Sequence, residues 1–398
     1  MLRQIVAISL TNLVTLRTRL GASVVVVVGV AGVVFVLTAL FAMANGLRET
    51  LTGTGAPDRV LILGKGSRSE INGAITREQA AIIADKPGIA ATRSTNGLRL
   101  PLASGEIYAT ANLPRESDGA RTGLPLRGVG EAAFRVRPEV QVTAGRSFEP
   151  GKFELLVGTG AARVFANLDV GDEVSVKGAT WRVVGHFDAD GQATESEAWL
   201  DVDVMANVFR RGPFLQSVLA RLESPADLAT LNAAIDADRR LSNSLFRESD
   251  YYQAQSESAT ELMTLVGITA GAIMAMGAVF GALNSLYAAV SARTREIAIL
   301  RALGYSAAPV VTSVLTESLV LSLIGGLLGA GIGWLVFDGA ASASVGATFS
   351  QVAFRFAVTP ALILSGVLLA VLIGLAGGAL PAVRAARQSV VEGLRAAP

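Results

Sequence analysis

Four uncharged apolar runs decide most of what this chain can fold into. No charge falls in residues 21–44 between Arg19 and Arg48, or in 262–290 between Glu261 and Arg293. The same holds for 318–337 between Glu317 and Asp338, and for 356–383 between Arg355 and Arg384. A helix needs about 20 mostly apolar residues to cross the hydrocarbon of a bilayer, and each run reaches that. The first run is too long for the apolar region of a cleaved signal, although Ala42 and Ala44 imitate the small-residue spacing of a cleavage site. It reads as a retained anchor. The spans are expected at 21–44, 262–290, 310–337 and 356–383.

Short flanks rich in arginine stay on the cytoplasmic side. Arg3, Arg17 and Arg19 precede the first span without an acid. Arg293, Arg295 and Arg301 outnumber Glu296 between the second and third, and Arg384, Arg387 and Arg395 outnumber Glu392 after the fourth. With four spans these three segments share one side. Both termini are therefore expected in the cytoplasm, with 45–261 and the short loop 338–355 on the outer side of the membrane. An amphipathic segment is expected at 1–20, a connecting segment at 291–309 and a tail at 384–398.

The long outer segment mixes strand and helix signals. Residues 59–63 and 154–157 read as strands. Residues 76–85 read as a helix opened by Thr76 and Gln79 at capping-box spacing, and 160–168 and 224–237 as further helices. Residues 170–185 alternate around Lys177-Gly178, a hairpin pattern. The fold class is thus a membrane protein of four transmembrane α-helices with a large α+β extracytoplasmic domain between spans one and two. The polar stretches 45–56 and 251–261 adjoin the first two spans and read as stalks that extend those helices outward.

The composition removes several kinds of chemistry. A net charge of +1 and no basic patch interleaved with aromatics leave no basis for a nucleic-acid partner. The absence of cysteine excludes disulfides and thiolates, and the single His186 excludes a multi-histidine metal site within the chain and reads as structural. Asp188, Asp190, Glu195 and Glu197 form an acidic stretch that reads as a solvated turn rather than a cation loop. No nucleophile–base constellation stands out, so the chain is not expected to be an enzyme. Gly64-Lys65-Gly66 lacks the spacing and the hydroxyl residue of a phosphate-binding loop.

Between the second and third spans, Arg293, Arg295, Glu296, Ile297, Leu300, Arg301, Leu303 and Gly304 lie in a short amphipathic helix that Thr294 can cap and Gly304 can stop. Such a helix suits a membrane surface or a protein groove. Glu317 is an acid at or just inside the third span, placed either to pair with an arginine of this connection or to anchor the helix at the interface. Gly325, Gly329 and Gly333 recur every four residues in the third span, as do Gly277 and Gly281 in the second and Gly374 and Gly378 in the fourth, a spacing that lets helices pack closely.

The stretch from Val290 to Tyr305 resembles the signature of FtsX-like and MacB-like permeases of ABC transporters, the mechanotransmission or type VII exporters. The resemblance continues through residues 317–329, 378–387 and 391–395, in the family's order. It implies a two-lobed periplasmic core domain, with a base lobe at 57–132 and 213–255 and an inserted lobe at 133–212. It also implies that the 293–304 helix docks on an ABC ATPase subunit, which binds the ATP and magnesium; no cofactor is expected in this chain. A second permease chain, identical or paralogous, is expected to complete the assembly, with a periplasmic adaptor and membrane lipid as further partners. The implied activity is transmission of ATP-driven motion to the outer domain, driving export or extraction of a lipophilic, peptide or antibiotic-like substrate. The alternative is cargo-free signalling to an envelope enzyme such as a cell-wall hydrolase.

Overall fold

The computed structural model describes residues 20–345 and 351–391. The amphipathic segment at 1–19, the tip at 346–350 and the tail beyond 391 lie outside the described residues. The chain divides into two compact units, one of Met1–Asn45, Leu262–Ala340 and Phe356–Pro398, the other of Gly46–Glu261 and Ala341–Arg355.

Among the described residues, four helices are long and apolar enough to cross a membrane by length and composition. They are α1 (Leu20–Thr52), α7 (Glu248–Ala292), α9 (Ala307–Phe337) and α10 (Pro360–Arg387), and α8 (Thr294–Ala302) lies between α7 and α9. Helices α1 and α7 run without a break into the polar stretches read as stalks.

Small residues govern the packing of the apolar unit. A Cβ on Gly325 would meet the carbonyl oxygen of Val27 at 2.7 Å, one on Gly329 that of Ala31 at 2.4 Å, and one on Gly333 the side chain of Thr38 at 2.9 Å. The repeat in α9 therefore seats α1 backbone to backbone. Gly374 and Gly378 of α10 meet Ser322 and Ser318 of α9, and the Ser318 hydroxyl donates to the Gly374 carbonyl at 2.6 Å. Gly277 and Gly281 differ: a Cβ on either meets nothing within 4 Å, so that repeat packs no helix of the described chain.

The second unit is α+β. Its strands are β1 (Arg59–Gly64), β2 (Ile75–Thr76), β3 (Ala91–Arg93), β4 (Arg99–Pro101), β5 (Ala103–Pro114), β6 (Arg121–Val129), β7 (Gln141–Gly145), β8 (Glu154–Gly158), β9 (Glu173–Val176), β10 (Ala179–Asp188), β11 (Ala198–Asp201), β12 (Phe214–Leu215), β13 (Ser217–Arg221) and β14 (Asn243–Arg247). Its helices are α2 (Arg77–Ala84), α3 (Ala132–Val136), α4 (Thr159–Val164), α5 (Val202–Val208) and α6 (Leu228–Asp236). One ten-stranded sheet runs in the order β14-β1-β13-β5-β6-β11-β8-β10-β7, with β9 paired to β10.

Local chemistry explains several elements. Thr76 and Gln79 close the capping box of α2, each side chain bonded to the other's backbone amide at 3.0–3.1 Å. Lys177 (φ 54°) and Gly178 (φ 80°) are both left-handed, as a two-residue turn joining β9 to β10 requires. Helix α4 is shorter than the 160–168 expectation, because the chain turns extended at Phe165 to bury that ring. The 224–237 helix opens instead as a tight turn at Pro225–Asp227, followed by α6.

Strand β5 pairs with β13 through Ala103–Glu106 and with β6 from Ile107 onward. Leu124 and Leu126 of β6, placed by sequence in the 57–132 lobe, pack instead with Leu155, Trp181 and Leu200 of the 133–212 segment. Parallel pairing of β6 with β11 brings them there. The supposed loop after α9 is a hairpin, β15 (Ala341–Val345) with β16 (Gln351–Arg355). Its Ala-Ser sequence carries too little hydrophobic contrast to announce a strand.

Candidate coupling site

Helix α8 is not capped by Thr294. Arg293 occupies the N-cap, and the Thr294 hydroxyl turns back to donate to the Ser291 carbonyl at 2.9 Å. The Arg293 side chain is 8% exposed and pairs with Glu317 at 3.3 Å, itself buried in α9. The acid is thus tied to the connection by a buried ion pair. Ile297 packs with Val290, Val310, Val314, Ala382 and Ala385. Leu300 is half-buried beside a cavity of about 40 Å³ that Arg293, Glu296 and Glu317 also line. Arg301 donates to the carbonyl of Ala386 near the end of α10, and Gly304 (φ 94°) ends the helix left-handed.

The eight residues singled out from sequence therefore divide. Arg293 and Ile297 face inward, Leu300 and Arg301 are half-buried, and Arg295, Glu296, Leu303 and Gly304 are exposed. The free face carries Arg295, Ile299 (45% exposed) and Leu303 (72% exposed) at steps of four residues, a stripe about two helix turns long.

A second group of functional interest escaped the sequence reading. Within the α+β unit Arg127 of β6 is 1% exposed and surrounded by carboxylates. It holds Glu197 with two bonds of 2.7 Å, Glu70 at 2.8 Å and Glu106 at 2.7 Å. Arg137, just after α3, holds the other side of Glu106 at 2.6 Å and 3.0 Å and lies 3.9 Å from Glu248. Arg59, which opens β1, pairs with Glu139 and Glu248 at 2.5 Å each. Glu248 is the first residue of α7 and accepts the amide of Ala56 at 3.2 Å, so this network binds the beginning of α7 to the segment that follows α1. Trp199 and Ser217 supply further donors, to Glu197 at 2.9 Å and to Glu70 at 2.9 Å.

Three buried arginines face four buried glutamates, an excess of one negative charge. Burial pushes the Glu248 carboxyl up, against the pull of Arg59 and Arg137. Burial would also raise Glu106, but the guanidiniums of Arg137 and Arg127 overcome it and bring the carboxyl from the usual 4.5 down to about 2. The folded form of Glu106 thus holds its proton less tightly than the unfolded chain does. Its stabilising contribution is complete above pH 4.5 and is lost as pH falls toward 2. Unfolding followed by tryptophan fluorescence should therefore separate wild type from Glu106→Gln more widely at pH 7 than at pH 3. A separation independent of pH would show that the Glu106 carboxylate is not held as the geometry indicates.

The acidic stretch 188–197 is not a solvated turn throughout. Glu195 is 6% exposed and accepts the amides of Ala189 and Gly191, and Glu197 belongs to Arg127. Among the described residues no acid or histidine cluster could hold a metal ion. His186 Nε2 lies 2.8 Å from the Leu168 carbonyl oxygen, a structural contact.

The MacB-like periplasmic core domain family matches residues 23–238, more than half of the chain, and the FtsX-like permease C-terminal family matches 268–390. The ABC transporter permease YknZ of Bacillus subtilis (strain 168) is 25% identical over 96% of this chain and 94% of its own length. The macrolide export ATP-binding/permease protein MacB of Vibrio parahaemolyticus is 24% identical over 89% of this chain, which spans only 59% of that protein. The periplasmic region of MacB from Actinobacillus actinomycetemcomitans superposes with a TM-score of 0.38 at 14% identity, over 52% of this chain and 96% of that one.

Proposed function

The chain belongs to the MacB-like and YknZ-like family of ABC transporter permeases, and from that premise we propose that it spans the inner membrane four times, termini in the cytoplasm, and carries ATP-driven motion to a periplasmic α+β domain. The observation that supports this most is the continuity of α1 and α7, each a single helix from an apolar run to a polar end. ATP and magnesium would be bound by an ABC ATPase that works with this permease. Two permease chains would meet two ATPase chains. Closure of the ATPases would move α8, and the outer domains would expel a lipophilic, peptide or antibiotic-like substrate, with a periplasmic adaptor receiving it.

Docking on the ATPase falls to the exposed stripe of α8, Arg295, Ile299 and Leu303. Leu303→Asp adds a carboxylate at a position 72% exposed, so the permease should fold and insert normally. In an apolar groove that carboxylate is desolvated without a partner, at about 1–3 kcal/mol, an ATPase complex weaker by about 5- to 150-fold. Co-purification and stimulated hydrolysis should fall together. Undiminished ATPase recovery with Leu303→Asp would remove α8 as the docking helix. Leu300→Asp is the poorer test, since it would also disturb the cavity beside Arg293 and Glu317.

A further inference from the structure

A cavity of about 330 Å³ opens within the α+β unit between the end of α1, α4, the loop after β10, and β16. This is the size range of a small-molecule site. Its walls meet through glycine. A Cβ on Gly46 would sit 1.9 Å from the carbonyl oxygen of Arg355, and one on Gly160 2.9 Å from that of Glu195.

Both signs of charge enter this space. The guanidinium of Arg355 and the carboxylate of Glu49 have no ion-pair or hydrogen-bond partner among the described residues. Arg163 spends its Nε on the Thr159 carbonyl at 3.0 Å and keeps Nη2 3.7 Å from Glu195, leaving donors of its fork for a ligand. Among the described residues Asp188 accepts only the Asp190 amide, at 3.0 Å through Oδ1. Glu195 is engaged by backbone amides and by the Thr159 hydroxyl, so it shapes the wall rather than offering a charge.

A simple anion is disfavoured here, because Glu49 and Asp188 would face it. A simple cation is disfavoured by the two arginines. A ligand bearing both charges satisfies both pairs. Guanidinium forks suit a multi-oxygen anion such as phosphate, and carboxylates suit an ammonium. We propose that this cavity binds an ammonium–phosphate zwitterion of the phosphoethanolamine type, its phosphate on Arg163 and Arg355 and its ammonium on Glu49 and Asp188. The bilayer is the nearer source. Gly46 follows the end of the first apolar run at Ala44 by two residues, and Arg355 directly precedes the last run at Phe356. The lipid source rests on the membrane reading above; binding of the headgroup itself does not.

The test uses the full chain, stripped of lipid in detergent and titrated under native mass spectrometry. The probes are phosphatidylethanolamine, phosphatidylglycerol and soluble glycerophosphoethanolamine. Wild type should retain the ethanolamine lipid about tenfold better than the glycerol lipid. Arg355→Gln should weaken both lipids, and Glu49→Gln should bring the ethanolamine lipid down to the level of the glycerol lipid. Both positions are exposed, so unfolding followed by tryptophan fluorescence should match wild type. Displacement of the lipid by glycerophosphoethanolamine at equal concentration would assign a soluble zwitterion. Binding of the lipid alone would assign the bilayer; either result supports the site. Equal retention of the two lipids by wild type, or undiminished ethanolamine-lipid binding by both variants, overturns it. No ATPase enters the assay, so its failure leaves the permease reading untouched.

Discussion

Arg127→Met should destabilise the α+β unit by about 3–5 kcal/mol, the cost of removing one partner from a buried ionic cluster. The substitution keeps much of the volume and deletes the charge that Glu70, Glu106 and Glu197 share. Each of these glutamates is below 10% exposed, so water cannot replace the lost donors without opening the sheet. Arg137 still holds Glu106, but Glu197 keeps only the Trp199 indole, and Glu70 the Ser217 hydroxyl, as neutral side-chain donors. Denaturant unfolding of the full chain, followed through Trp181 and Trp199, reads this directly. Arg93→Met, at an exposed hairpin position, is the comparison and should stay within about 0.5 kcal/mol of wild type. If the two variants unfold at the same midpoint, the cluster carries no net stability.

Glu317→Ala should act on the apolar unit with comparable force, about 3–5 kcal/mol, because it leaves the Arg293 guanidinium charged among Val290, Val310 and Val314. Arg293 is the N-cap of α8, so the penalty falls on the helix that carries the exposed Ile299 and Leu303. Hydrogen exchange of the 294–302 amides should rise in the variant. The double change Arg293→Met with Glu317→Ala removes both charges and should recover most of the protection, the expected behaviour of a coupled pair. Equal exchange in wild type and Glu317→Ala would show that the pair does not hold α8 in place.

The contrast between these sites explains what could be read from residues alone. The four apolar helices were legible because a bilayer demands an uninterrupted run of fixed length, and the β9–β10 hairpin because Lys177-Gly178 meets a strict local backbone requirement. Both are decided within a few neighbouring residues. The ionic cluster is decided by partners far apart in sequence, Arg127 with Glu70 and Glu197 above all, and charged residues are usually solvated. One trace did exist. Arg127 interrupts Leu124-Pro-Leu-Arg-Gly-Val129, a strand otherwise buried on both faces. Periodicity likewise identified the apolar side of α8 but not what covers it. Ile297 and Leu300 turn toward neighbouring helices, and Ile299 and Leu303 are left outside.

The pairing of β1 with β14 has a kinematic consequence. Strand β1 begins seven residues after the end of α1, and β14 ends where α7 begins. The two strands are laddered in register from Val60 opposite Arg247 to Gly64 opposite Asn243. A slip of one residue would turn every inward side chain of one strand outward. Axial sliding of one helix end past the other would have to shear this ladder and tear Glu248 from Arg59. Swinging or twisting the two ends together strains neither. Like the pin of a clevis, the ladder and its ion pair oppose differential axial thrust between the two helix ends.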